Sequence, residues 1–197
     1  MGYKISAEDI VKFNGQKIRC EALRYIVLNK PKKYSGRIEY GAQSNSVMSL
    51  ISSACKEKIY PIDKLTKLES GLLIFTNDTN LAKKISNKRQ IIKSIYHIKL
   101  DKNLTQEDLI KIKEGVYINS KKHSLDAISY IEKKSKNEIG VENSKGGIKY
   151  IKEIFGNLNY TIKELDRVFF GGLTKKNLPR KHYRHLSEKE INILKRL

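Results

Sequence analysis

Tryptophan is absent, only three prolines and two cysteines occur in 197 residues, and 21 acidic side chains stand against 40 lysines and arginines. Cys20 and Cys55 belong to no CxxC pair or Cys/His cluster, which speaks against a structural zinc or a disulfide framework and fits a reducing, cytoplasmic compartment. No apolar run approaches the roughly 20 residues needed to cross a bilayer, and the N-terminus shows no apolar signal core, so no membrane partner is expected. Scarce acid leaves a formal charge of +19 spread along the whole chain. A composition rich in Lys, Ile and Asn supplies part of that excess, but such a bias raises Glu as well as Lys. A polyanionic partner, nucleic acid first, accounts for the remainder.

What is present suffices for one domain: 39% of the residues are hydrophobic. Residues 1–22 read as a β-ribbon or linker remnant, because alternation in IVKFNGQKI is interrupted by Asn14-Gly15, a strong hairpin signal. Residues 23–197 read as a single α+β domain. Strands are expected at Tyr25 to Pro31, Gly71 to Phe75, Ser94 to Leu100, Val116 to Asn119, Ala127 to Glu132, Glu138 to Val141, Tyr160 to Leu165 and Val168 to Phe170. Helical spacing marks Ser46 to Ala54, a short basic stretch around Leu81 and Ile85, a segment from Thr105 to Gly115, and Ile148 to Leu158. A capping box of Ser187 and Glu190 opens the closing helix. His182 and His185 have ligand-like spacing without a third partner, so no metal site is expected. The cluster Lys30, Lys32 and Lys33 invites phosphate contact.

Four segments taken together carry a resemblance. YIVLNKPKKY, YPIDKLTKLESGLLIFTND, SIYHIKL, and LDRVFFGGLTKKNL followed by YRHLSEKE are similar to the RsuA/RluB/RluE/RluF group of bacterial ribosomal RNA pseudouridine synthases, in order and spacing from Tyr25 onward. The resemblance implies a pseudouridine synthase fold: a mixed, largely antiparallel sheet with flanking helices and a central RNA-binding cleft. It further implies a reaction without metal or organic cofactor. A uridine is flipped out, its glycosidic bond is broken, and the base is rotated and rejoined through carbon. A carboxylate at the sugar and an aromatic ring against the uracil perform the chemistry.

The group's catalytic motif reads GRLDxxTxGLL. Anchored on Gly71-Leu72-Leu73 without a gap, it sets Asp63 at the glycine, Lys64 at the arginine, Leu65 at the leucine, Thr66 at the catalytic aspartate and Glu69 at the threonine. A second motif, close to EGRxHQVKRMF, puts Gly147 at the arginine that pairs with that aspartate, with Tyr150 and Lys152 following. On this register both members of the ion pair are lost, a pattern expected of a stable descendant without catalysis. Tyr96 stands where the group keeps its tyrosine. Lys30, Lys32, Lys33, Lys64, Lys149 and Lys152 are the candidate RNA contacts. The expected protein is thus an RNA-binding, pseudouridine-synthase-like factor that holds ribosomal RNA during assembly or on a ribosomal subunit, with a protein-interaction module as a third possibility. The alternative is an active synthase using a displaced carboxylate, Asp63 or Glu69.

Overall fold

The computed structural model describes residues 12–17, 21–36, 45–87 and 91–197. Expectations for residues 1–11 and for Cys20 lie outside the described residues. The hairpin forms as the dipeptide predicts. β1 (Lys12–Phe13) pairs with β2 (Gln16–Lys17) across Asn14 and Gly15, whose φ values of 49° and 77° are the positive pair that a tight hairpin turn requires.

The domain follows in chain order: β3 (Tyr25–Lys30), α1 (Val47–Leu50), β4 (Tyr60–Pro61), β5 (Glu69–Thr76), α2 (Thr79–Ser86), β6 (Ser94–Leu100) and α3 (Gln106–Glu114). Then come β7 (Val116–Ile118), β8 (Lys121–His123), β9 (Ala127–Tyr130), β10 (Glu138–Asn143), α4 (Ile148–Asn157), β11 (Ile162–Phe170), β12 (Leu173–Thr174), β13 (Tyr183–His185) and α5 (Glu188–Arg196). The main sheet runs β13-β3-β5-β11-β6-β10-β9, with β4 beside β5 and β12 beside β11, while β7 and β8 form a separate ribbon. β5 and β11 run parallel. The remaining ladders among the described residues are antiparallel.

Burial follows side-chain periodicity. All eight residues of β5 are buried, as a central strand covered on both faces must be. Leu72 and Ile74 pack with Val27 under Leu81 and Ile85 of α2 and Leu194 of α5. Leu73 and Phe75 pack on the other face with Ile26, Leu28, Val47 and Ile51. The second half of the sheet carries Ile98, Ile139, Val141 and Leu165 against Leu109 and Ile112 of α3 and Ile151, Ile154 and Phe155 of α4. Caps end these helices where the sequence places them. Thr105 accepts from Asp108 N, and Ser187 and Glu190 close a reciprocal capping box.

Three expectations need correction. The helix expected over Ser46 to Ala54 is only four residues long, because Ser49 and Ser52 bond backward to the carbonyls of Ser46 and Ser49 and compete with helical pairing. The two strands expected between Tyr160 and Phe170 are one, β11, whose ladder to β6 has irregularities at Ile162/Glu164 and Arg167/Phe169 that interrupt simple alternation. The segment before α5, where no strand is expected, contains the edge strand β13 paired with β3. Polar side chains suit an edge that faces water.

Gly71 controls the approach of β5 to β11. Its φ is +107°, and a Cβ built there would lie 2.2 Å from the Arg167 carbonyl oxygen and 2.5 Å from its nitrogen, both backbone atoms that cannot turn aside. Gly71→Ala is therefore expected to cost at least about 2 kcal/mol, read as a lowered urea midpoint. An unchanged midpoint would mean the two strands have room to separate.

Candidate active site

Cross-strand register builds the site. Arg167 on β11 lies opposite Gly71 on β5 and Tyr96 on β6, and residues directly opposite share a face. The missing side chain at Gly71 leaves that face to Arg167 and Tyr96. Arg167 is 1% exposed, so its charge must be met inside the protein. Nε and Nη2 donate to the Leu72 carbonyl at 2.9 and 2.7 Å, and the guanidinium carbon lies 4.3 Å from the centroid of the Phe170 ring. Nη1 donates to Asp63 Oδ2 in an ion pair. Asp63 Oδ1 accepts from Lys64 N at 2.6 Å.

Asp63, Tyr96, Arg167 and Phe170 line a cleft of about 220 Å³ that also includes Ser94, Ser86 and Asn87, and the run Ser144 to Gly147 leading into α4. Burial pushes the Asp63 carboxyl upward, but the charge and hydrogen bond of Arg167, helped by Lys64, outweigh it and hold Asp63 below the ordinary carboxylate value. Burial disfavours the Arg167 cation. The Asp63 charge and the hydrogen bond to Tyr96 more than restore it. The site thus presents an ionised carboxylate, half accessible, beside a tyrosine ring and a fixed cation.

A neighbouring acid is kept apart. Asp166 lies opposite His97 and Ser70, hence on the other face of the sheet. Burial raises its pKa, but Arg180, held through two hydrogen bonds of 3.0 and 2.9 Å, and Lys175 bring it down to about 2.

The other candidates fall elsewhere. Thr66 is exposed outside the cleft, its hydroxyl accepting from Leu68 N at 3.3 Å in a local turn. Glu69 is 2% exposed and accepts from Thr66 N and from Lys152 Nζ, both at 2.6 Å, so it too is turned from the cleft. Gly147 lines the cleft as the N-cap of α4. The expectation that the ion pair had vanished meets an ion pair formed from other residues, Asp63 and Arg167. Sequence reasoning missed Arg167 and Phe170; an arginine directly before the apolar run Val168 to Phe170 was the available signal.

Among the candidate RNA lysines, Lys30 is corrected outright. It is fully buried, and its ammonium donates to the carbonyls of Thr66 and Glu69 at 2.7 Å and of Pro31 at 3.1 Å. Its three donors are used within the protein. Lys152 is committed to Glu69 and Lys32 to Glu164 at 2.8 Å, while Lys33 and Lys64 are exposed, and Lys149, 92% exposed, reaches Glu153 only at 3.7 Å. Among the described residues no group of His, Cys, Asp or Glu gathers as metal ligands. None of the described helices is long and apolar enough to cross a membrane.

Burial lowers the Lys30 pKa from 10.5 to about 8, against the opposing pull of Glu69. The unfolded chain keeps that proton to about 10.5 and so binds more protons between those values. Stability should therefore rise with pH above 8, by up to about 3 kcal/mol in total from this group. Above pH 10 Tyr25, pushed up by burial and by its bond to Asp78, works in the opposite direction. At the acid end Asp166 loses its contribution, about 2 kcal/mol, as pH falls through about 2. Urea midpoints at pH 7.5 and 9.5 test the alkaline limb; a midpoint that falls over this interval contradicts it.

Residues 24–155 match the family model described as RNA pseudouridylate synthase, and the chain belongs to that family. Asp63 and Tyr96 lie within the matched span and Arg167 beyond it. An uncharacterized RNA pseudouridine synthase of Aquifex aeolicus is 26% identical over 193 residues, covering 97% of this chain and 78% of the relative. Ribosomal large subunit pseudouridine synthase B of Bacillus subtilis is 26% identical over 203 residues, covering 100% and 82%. The crystal structure of a pseudouridylate synthase superposes with a TM-score of 0.72 at 20% identity, covering 98% of this chain and 83% of that one, and the fold is the pseudouridine synthase fold.

Proposed function

We propose that the protein is an active pseudouridine synthase of ribosomal RNA whose reacting carboxylate is Asp63. The observation that carries this reading is the Asp63–Arg167 ion pair beside Tyr96 in one cleft. It reverses the preference for a non-catalytic factor, which depended on reading the motif without a gap. With three additional residues between Thr66 and Gly71, Asp63-Lys64-Leu65-Thr66 reads as the DxxT of the motif, and the Asp63 carboxylate takes the catalytic place. Thr66 then keeps the motif's threonine.

In this reading the flipped uridine enters the cleft with its sugar at Asp63 and its base against the Tyr96 ring. Asp63 acts at the sugar as nucleophile or as base, and either role needs the ionised carboxylate that Arg167 maintains. Phe170 and the Leu72 carbonyl keep Arg167 from following the substrate. Exposed Lys33, Lys64 and Lys149 supply phosphate contacts, with Lys30 as a structural group that holds the loop carbonyls. The ribosomal substrate is supported by the high positive charge and by a relative named for the large ribosomal subunit.

Incubating the purified protein with ribosomal RNA and mapping pseudouridine at single-nucleotide resolution tests the proposal. Conversion at a defined uridine is expected. Tight binding of that RNA without conversion would favour the factor that only holds RNA during ribosome assembly.

A further inference from the structure

The loop that carries Asp63 is held at four of its carbonyls. Leu65 O accepts from Gly36 N at 3.0 Å, Thr66 O from Lys30 Nζ at 2.7 Å, Lys67 O from Lys33 N at 2.8 Å and Glu69 O from Lys30 Nζ at 2.7 Å. Those bonds fix the loop to β3 and the chain that follows it. One side chain fixes it to α4. Glu69, 2% exposed, accepts from Thr66 N through one oxygen and from Lys152 Nζ of α4 through the other, both at 2.6 Å. The approach to α4, Ser144 to Gly147, forms part of the cleft that Asp63 also lines. A buried carboxylate therefore closes the turn directly after Asp63 and ties that turn to the helix whose N-cap, Gly147, borders the site.

We propose that Glu69 is a positioning residue, which through the Thr66 turn and the Lys152 clasp sets the Asp63 carboxylate against Arg167. The proposal rests on the reading of Asp63 as the reacting group. Leu65, 1% exposed, makes the short span from Asp63 to Thr66 stiff, so a shift at the turn is passed to the carboxylate rather than absorbed. The charged groups around Asp63 are Arg167 from β11 and Lys64 of its own loop; around Glu69 they are Lys30 from β3 and Lys152 from α4. Lys30 has its three donors on carbonyls, so it does not require the Glu69 carboxylate as a hydrogen-bond partner. Lys152 and the Thr66 amide do the coupling.

The test is a carbon-13 carboxyl titration of the full chain without RNA, with the Asp63 resonance assigned by its loss in Asp63→Asn, alongside steady-state pseudouridine formation. In Glu69→Gln the Asp63 pKa is expected to move up toward the ordinary aspartate value, and kcat to fall about 10-fold with KM within about twofold. Lys152→Gln should move the Asp63 titration in the same direction, and the double variant should do no more than the larger single change. Lys152 is 43% exposed, so this variant remains available if Glu69→Gln fails to fold. An Asp63 titration unmoved in the folded variants overturns the proposal. A wild type that forms no pseudouridine would instead overturn the catalytic reading, while the titration, which needs no turnover, still decides the role of Glu69.

Discussion

Asp63→Asn is expected to abolish pseudouridine formation, by more than about 10³-fold in single turnover, while the protein stays folded and binds the same RNA at least as tightly. The size follows from the role. An amide can neither attack the sugar nor accept a proton there, and loss of a reacting group costs far more than loss of a binding contact. RNA affinity should not fall, because the substitution removes a negative charge from a cleft that receives a polyanion. Folding is weakened as well, because the buried Arg167 guanidinium loses its anionic partner, but asparagine keeps the volume and one acceptor for the Lys64 amide, bonded at 2.6 Å. The guanidinium retains the Leu72 carbonyl and the Phe170 ring. Single-turnover conversion measured beside a salt-dependent binding isotherm checks both halves. Residual conversion above about 1% of wild type would point to another carboxylate.

Arg167→Met should be the most damaging substitution for stability and nearly as damaging for activity. It leaves the Asp63 charge without its partner and removes both donors to the Leu72 carbonyl. Removing one member of a buried pair costs about 3–5 kcal/mol. Asp63 is partly accessible, with 37% of its side chain exposed, which sets the expectation toward the lower end of that range. The consequence for titration has a definite sign. With Arg167 present, the depressed Asp63 pKa adds stability above the ordinary carboxylate range that is lost on acidification. Without it, burial is opposed only by Lys64 and the pKa rises, so any remaining activity should require higher pH. The double variant Asp63→Asn, Arg167→Met should be more stable than Arg167→Met, because it strands no charge. If the double variant is the weaker of the two, the pair is not what holds this part of the sheet.

Legibility in the sequence depended on whether an interaction was local. β3, β5, β6, α3, α4 and α5 could be read from periodicity and caps, since those signals span fewer than about a dozen residues. The bulges in β11 broke that periodicity. β13 has too few apolar residues to announce itself, and only its ladder to β3 makes it a strand. Tyr96 could be named only through the resemblance, since the strand alone suits an ordinary core tyrosine. The partner of Asp63 could not, because Arg167 reaches it through the parallel register of β5 with β11, joining positions 104 residues apart. Lys30 illustrates the same limit. In sequence it belongs to a basic cluster beside a proline, and only the fold encloses its ammonium among carbonyls. The proposed register of the loop from Asp63 to Gly71 departs from the gapless one for a related reason. Anchoring on the buried strand assumed a fixed loop length, whereas loops accept added residues at little cost.

The choice between Asp63 and Thr66 is the most direct point of attack. Single-turnover conversion of one ribosomal RNA substrate, compared between Asp63→Asn and Thr66→Ala, separates the two registers of the motif. The account predicts that Asp63→Asn forms no pseudouridine and that Thr66→Ala keeps most of the wild-type rate, since it removes only a hydroxyl at an exposed turn. Pseudouridine formed by Asp63→Asn would contradict it.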